Sequence, residues 1–135
     1  MGLLRETDAD QRSADVVRHA RSLAGTASTA TGLVVACFAD VGIALQDDIL
    51  AMHLAGEAIL GSGLFPADLL FRTGRHDAYH QGDRQHGVGH VGIYSGEGTV
   101  LHASPSEERV QEDTIDAFFD AENGHYRGTR RLIAR

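Results

Sequence analysis

The chain has 135 residues, enough for one domain around one core, and 42% of them are apolar, as in an ordinary soluble protein. Its formal net charge of −7 would repel phosphate, which argues against nucleic acid as a partner. All 12 basic residues are arginine, which excludes a Schiff-base or Walker-type lysine, and the single Cys37 excludes an internal disulfide and any CxxC metal or redox site.

Residues 1–10 are charged and lack the apolar stretch of a signal peptide. The longest apolar run, 33–45, is interrupted by Asp40 and is too short to span a bilayer. The expectation is one soluble domain over 1–135 with no membrane partner, cytoplasmic or exported without a cleavable signal. The spacing of Val16, Val17, Ala20, Leu23 and Ala24 predicts a helix over 13–24, capped by Ser13 and ended by Gly25. A second helix is predicted from about Thr29–Thr31 to Val41, with Leu33, Val34, Cys37, Phe38 and Val41 as its apolar stripe. A third is predicted over 47–60, capped by Asp47 and stopped at Gly61-Ser62-Gly63.

After that breaker the period changes. Residues 68–72 read as a short buried strand, and 73–88 as a long loop. Residues 89–95 and 99–103 form a hairpin around Gly96-Glu97-Gly98. A fourth helix is predicted over 113–121, capped by Asp113, with the acids from Glu112 to Asp120 on a wet face; a last strand follows at 126–133. Helices first and strands after imply an α+β domain with segregated layers.

The hairpin carries the chemistry. A three-residue loop pairs Ser95 with Thr99 and Gly92 with His102, so His90 lies diagonal to His102 on one face while Val91, Ile93 and Leu101 point into a core. Gly92 leaves room above the sheet for another group. At the start of the second helix, unpaired N–H groups and the helix dipole would lower the pKa of a thiol and suit an oxyanion. An imidazole can take that thiol's proton, and a second polar group can hold the imidazole in its productive tautomer. Position 30 fits the thiol's place, but Ala30 has no nucleophile to offer.

Thr31-Gly32-Leu33-Val34, Asp68-Leu69-Leu70-Phe71, His90-Val91-Gly92-Ile93-Tyr94 and His102-Ala103 together resemble the NlpC-type cell-wall cysteine peptidases, over residues 14–104 in order. The resemblance implies a papain-like domain, N-terminal helices packed on a small antiparallel sheet, and no cofactor. It puts the catalytic Cys on Ala30, the general base on His90 and the third polar residue on His102. It implies hydrolysis of a peptide amide, typically in peptidoglycan stem peptides, through a thioester. Thr29, Thr31, Gly32 and His80 are the candidate substrate-binding residues. The family's Asp before the Cys is Thr29 here. Its tyrosine ahead of the Cys has no counterpart, because the first tyrosine is Tyr79.

Two readings of Ala30 stay open: a native pseudoenzyme that binds without cutting, or an engineered Cys→Ala replacement. Retention of both histidines favours the second. A deamidase or acyltransferase on the same fold is a further alternative, as is an antibacterial effector with an immunity protein as partner. Cys37, between Ala36 and Phe38, reads as an inert core thiol. His76/His80 and His86/His90 have the i, i+4 spacing of metal ligands on a helix, but Gly82, Gly87 and Gly89 argue against helices there, and no metal is expected.

Overall fold

The structure, a computed structural model, describes residues 2–61 and 63–135, with side chains from Asp8 onward; Ser62 of the predicted breaker lies outside the described residues. The first helix, α1, spans Gly2–Ser22 and starts well before the predicted residue 13. Ser13 is therefore not a cap but a buried residue inside the helix, its hydroxyl accepting from Arg135 Nη2 at 3.2 Å. The extra turns are mostly polar, so no apolar period marks them. Long-range contacts hold them instead: Arg12 donates to the Val41 carbonyl at 3.0 Å, and Ala9 packs in the core.

Helix α2 spans Ala30–Ala39. Thr29 caps it, its hydroxyl accepting from Gly32 N at 3.0 Å. A Cβ on Gly32 would stand 2.6 Å from that same oxygen, so glycine keeps the cap intact. Leu33, Val34, Cys37 and Phe38 are buried as the spacing predicts, and each large apolar side chain placed there contributes roughly 1.5–3 kcal/mol.

The predicted third helix is corrected to the single turn α3, Ile49–Met52, capped by Asp48 rather than Asp47. The chain must leave the helix because Gly56 sits at φ 65° against the Arg131 carbonyl, where a Cβ would collide. Strand β1, Glu57–Ala58, follows, then β2, Leu69–Arg72. The hairpin β3, His90–Tyr94, and β4, Thr99–Ala103, has the predicted register, Ile93 opposite Leu101 and Tyr94 opposite Val100.

The next element was not predicted. Residues Val110–Thr114 form strand β5, paired along β4. Glu112 and Asp113 thus lie on a strand, not on a wet helix face, and Asp113 caps nothing. Thr114 caps helix α4, Ile115–Asp120, accepting from Ala117 N at 3.1 Å. Strand β6 spans Tyr126–Arg131.

The strands order β1-β6-β2-β3-β4-β5, every pair antiparallel. Helices α1 and α2 cover one face, packing on Leu69, Phe71, Val91, Ile93 and Leu101. Phe118 of α4 covers the other, on Leu70 and Val100. This is the expected α+β architecture. Among the described residues no helix is long and apolar enough to cross a membrane.

Candidate active site

His90 opens β3 and His102 lies near the end of β4, so the hairpin register brings their rings together on one face. His90 Nε2 stands 2.8 Å from His102 Nδ1, and each residue is 2% exposed. The rings meet edge to face, centroids 5.1 Å apart. The room that Gly92 leaves between them is filled by Phe118. Its ring stacks on His90 at 5.5 Å and meets His102 edge-on at 5.0 Å. A Cβ on Gly92 would stand 2.9 Å from Phe118 Cε1 and collide with Val100.

The row of polar groups continues past His102. Its Nε2 lies 2.7 Å from Asp113 Oδ2, which also accepts from Gln111 Nε2 at 2.5 Å. The sequence reading missed Asp113 because it missed the strand: on β5, Gln111 is opposite His102, and Asp113, two residues on, shares its face. An ionised carboxylate only accepts, so His102 must donate from Nε2 and accept at Nδ1. His90 then donates from Nε2, and its Nδ1 carries a lone pair with no hydrogen bond among the described residues.

Burial works against a positive charge on either ring. Burial, then the Arg72 guanidinium, then His102 push the His90 pKa down to about 3. Arg72 faces His90 across the β2–β3 pairing and is fully buried, its guanidinium carbon 5.2 Å from the Phe118 ring centre. It donates to the Thr73 carbonyl at 2.6 Å and to Glu122 at 3.3 Å, while Nε and Nη2 have no partner among the described residues. Burial also lowers the pKa of His102, opposed by its bond to Asp113. For Asp113, burial works upward, but the bonds from His102 and Gln111 bring the carboxyl below its ordinary value.

Ala30 begins α2 and is half-buried, packed against the core under that helix. The segment before it is tied to the start of β5. Gly25 N donates to Val110 O at 2.8 Å, Val110 N to Thr26 O at 3.0 Å and Ser28 N to Glu108 O at 2.9 Å. The start of α2 is thereby held at the end of the sheet where β3 begins and β4 ends. The helix itself crosses the face of Val91 and Leu101, whereas His90 and His102 emerge from the face under Phe118.

The other predicted site residues have defined roles. Thr29 and Gly32 make the cap, and the Thr31 hydroxyl donates to Asp47. His80 meets His53 rather than the hairpin histidines: its Nε2 is 2.8 Å from His53 Nδ1, and His53 Nε2 donates to the Arg127 carbonyl at 2.6 Å. That pair packs beside Phe71, on the sheet face opposite His90. Cys37 is fully buried, and desolvation pushes its thiol up to about 12, so it is no rival nucleophile.

Paired helices on one face of an antiparallel sheet, with an imidazole dyad on its central hairpin, define a papain-like α+β domain. The chain belongs to the NlpC/P60 family, whose model matches residues 25–127. No curated protein matches it. Among solved structures, NlpC1 from Trichomonas vaginalis superposes with a TM-score of 0.75 at 19% identity, covering 91% of this chain and 45% of that one. The P60 domain of an antigen from M. avium subspecies paratuberculosis has a TM-score of 0.72 at 20% identity, covering 94% and 98%. The peptidoglycan hydrolase RipB from Mycobacterium tuberculosis has a TM-score of 0.70 at 21% identity, covering 96% and 68%. At these identities the likeness is one of fold.

Proposed function

We propose that this domain is a thiol-hydrolase scaffold for a peptide amide in peptidoglycan stem peptides, with Ala30 at the nucleophile's position. His90 is the base, His102 its orienter, and no cofactor takes part. Thr29, Thr31, Gly32 and His80 contribute to the substrate surface. With a methyl group at position 30 the chain binds its peptide without cutting it.

The observation that carries this reading is the direction of the imidazole row, which ends in an unpartnered His90 Nδ1. A thiol at position 30 would give its proton to that nitrogen, attack the amide carbonyl, and receive the proton back on the leaving amine. A His90 pKa of about 3 belongs to the chain without a thiol. A thiolate within reach adds a negative charge and raises it, as an opposite charge does for any imidazole. Membership in the family and the fold shared with a named peptidoglycan hydrolase support the substrate class.

The test is Ala30→Cys incubated with purified muropeptides, products followed by mass spectrometry. Release of a stem-peptide fragment that vanishes in Ala30→Cys/His90→Ala supports the proposal. No turnover of any muropeptide by folded Ala30→Cys, together with tight binding by the unaltered chain, would instead make this a binding module.

A further inference from the structure

The dyad would be ambiguous if it stood alone. Two neutral imidazoles sharing one hydrogen bond can be arranged in either direction. In one, His90 Nε2–H donates to His102 Nδ1 and leaves His90 Nδ1 bare. In the other, His102 Nδ1–H donates to His90 Nε2 and leaves His90 Nδ1 protonated. Only the first gives His90 a lone pair to offer. The 2.8 Å separation fits both.

We infer that Asp113 is a positioning residue, whose carboxylate fixes the tautomers of both imidazoles and so leaves His90 Nδ1 unprotonated. Oδ2 lies 2.7 Å from His102 Nε2 and has no proton to give, so His102 must spend its one N–H there. Gln111 cannot do this by itself. Its amide can turn either a carbonyl or an NH2 group toward the ring, and it is the carboxylate that fixes the NH2 at 2.5 Å from Oδ2.

The fold keeps that carboxylate in place and ionised. The β4–β5 ladder sets Asp113 opposite Val100, and the next residue, Thr114, caps the helix whose Phe118 covers both rings. One short segment thus supplies both the anchor and the cover. A cavity of about 200 Å³ lined by His102, Ser104, Gln111, Asp113 and Glu122 opens beside the carboxylate, whose side chain keeps 30% of its exposure. Solvent on that side favours the charged form, while each histidine is only 2% exposed.

The importance of this direction for chemistry rests on the reading of His90 as a base; the direction itself does not. The experiment is long-range ¹H–¹⁵N NMR on the folded chain with ¹⁵N-labelled histidine, at neutral pH. The unaltered chain should show both residues protonated at Nε2 and bare at Nδ1. In Asp113→Ala, the His90 Nδ1 signal should move toward the protonated range as the two directions mix. Asp113→Glu, which restores a carboxylate, should move it back. A merely structural aspartate would leave the tautomers unchanged. His90 wholly Nε2-protonated in folded Asp113→Ala, or already Nδ1-protonated in the unaltered chain, overturns the inference.

A kinetic measurement separates the two proposals. In an Ala30→Cys background that turns over, Asp113→Ala should lower kcat by about 10² or more with little change in KM. Failure of Ala30→Cys to turn over while the tautomers respond as stated removes the hydrolase reading and leaves the role of Asp113 intact.

Discussion

Two pairs of histidines in this molecule use one hydrogen-bond pattern for different ends. In both, an acceptor fixes one imidazole as an Nε2 donor, and that ring's Nδ1 accepts from the Nε2 of the second. The first pair runs from Asp113 through His102 to His90. The second runs from the Arg127 carbonyl through His53 to His80. The first is sealed against the sheet under Phe118 and ends on a charge; the second is half-buried beside Phe71 and ends on a carbonyl dipole. A proton arriving on the first pair is stabilised by a carboxylate. The second has no such partner among the described residues, and its geometry ties the 73–88 loop to α3 and β6. In the proposed mechanism, anchor and surroundings, not the imidazole contact, distinguish the pair that acts as a base.

The largest contrast should appear in catalysis. In the Ala30→Cys background, His90→Ala should lower kcat/KM by about 10²–10⁴-fold, the range for loss of a general base. His80→Ala should raise KM and leave kcat within about tenfold, because it loosens a loop and removes no proton acceptor. Steady-state kinetics on a defined stem peptide checks both.

Matched glycine substitutions extend the contrast to stability. Gly92→Ala forces a methyl group into Val100 and Phe118 and should cost about 2–3 kcal/mol in urea unfolding. Gly128→Ala leaves its new Cβ an ordinary 3.5 Å from His53 Nε2; its cost, about 1–2 kcal/mol, comes from φ 113° alone.

Acid should distinguish the pairs next. His90 is held neutral in the fold down to about pH 3, whereas the unfolded chain takes up that proton near its ordinary value of about 6.5. Between those limits the unfolded state binds more protons, so stability is full above about pH 6.5 and falls as pH drops toward 3. His102 and His53, also lowered by burial, add in the same direction. Urea midpoints from pH 7 to 4 should fall, with a shallower slope in His90→Gln and a smaller change of slope in His53→Gln.

The smallest effect tests Arg72. Its charge, facing His90 across β2 and β3, helps hold the imidazole unprotonated. Arg72→Met should raise the His90 pKa and leave His53 unmoved, as read by NMR titration of the two ring protons.

The hairpin dyad was legible in the sequence because its logic is local. Gly96 and Gly98 fix the turn, and alternation from Val91 to Leu101 fixes which residues share a face. The start of α2 near Thr29–Thr31 was legible from the apolar spacing that follows it. What escaped depends on partners distant in sequence. Strand β5, Val-Gln-Glu-Asp-Thr, lies at the sheet edge and buries only its first residue fully, so it carries no apolar alternation to betray it. Asp113 was hidden with it. The apolar spacing through Ile59 resembled one helix, but Gly56 lies against the Arg131 backbone and ends it early. His53 and His80 stand 27 residues apart on a turn and a loop, and nothing local joins them.

If position 30 and His90 share one site, as proposed, a thiol placed there reports on it without any substrate. The rate of alkylation of Ala30→Cys by iodoacetamide should be measured against pH, with and without His90→Ala; Cys37, buried and held protonated, will not compete. A shared site gives a thiol ionising below the ordinary value of about 8.5, shifted back up when His90 is removed. A thiol that titrates as a free cysteine does, and is indifferent to His90, would contradict it.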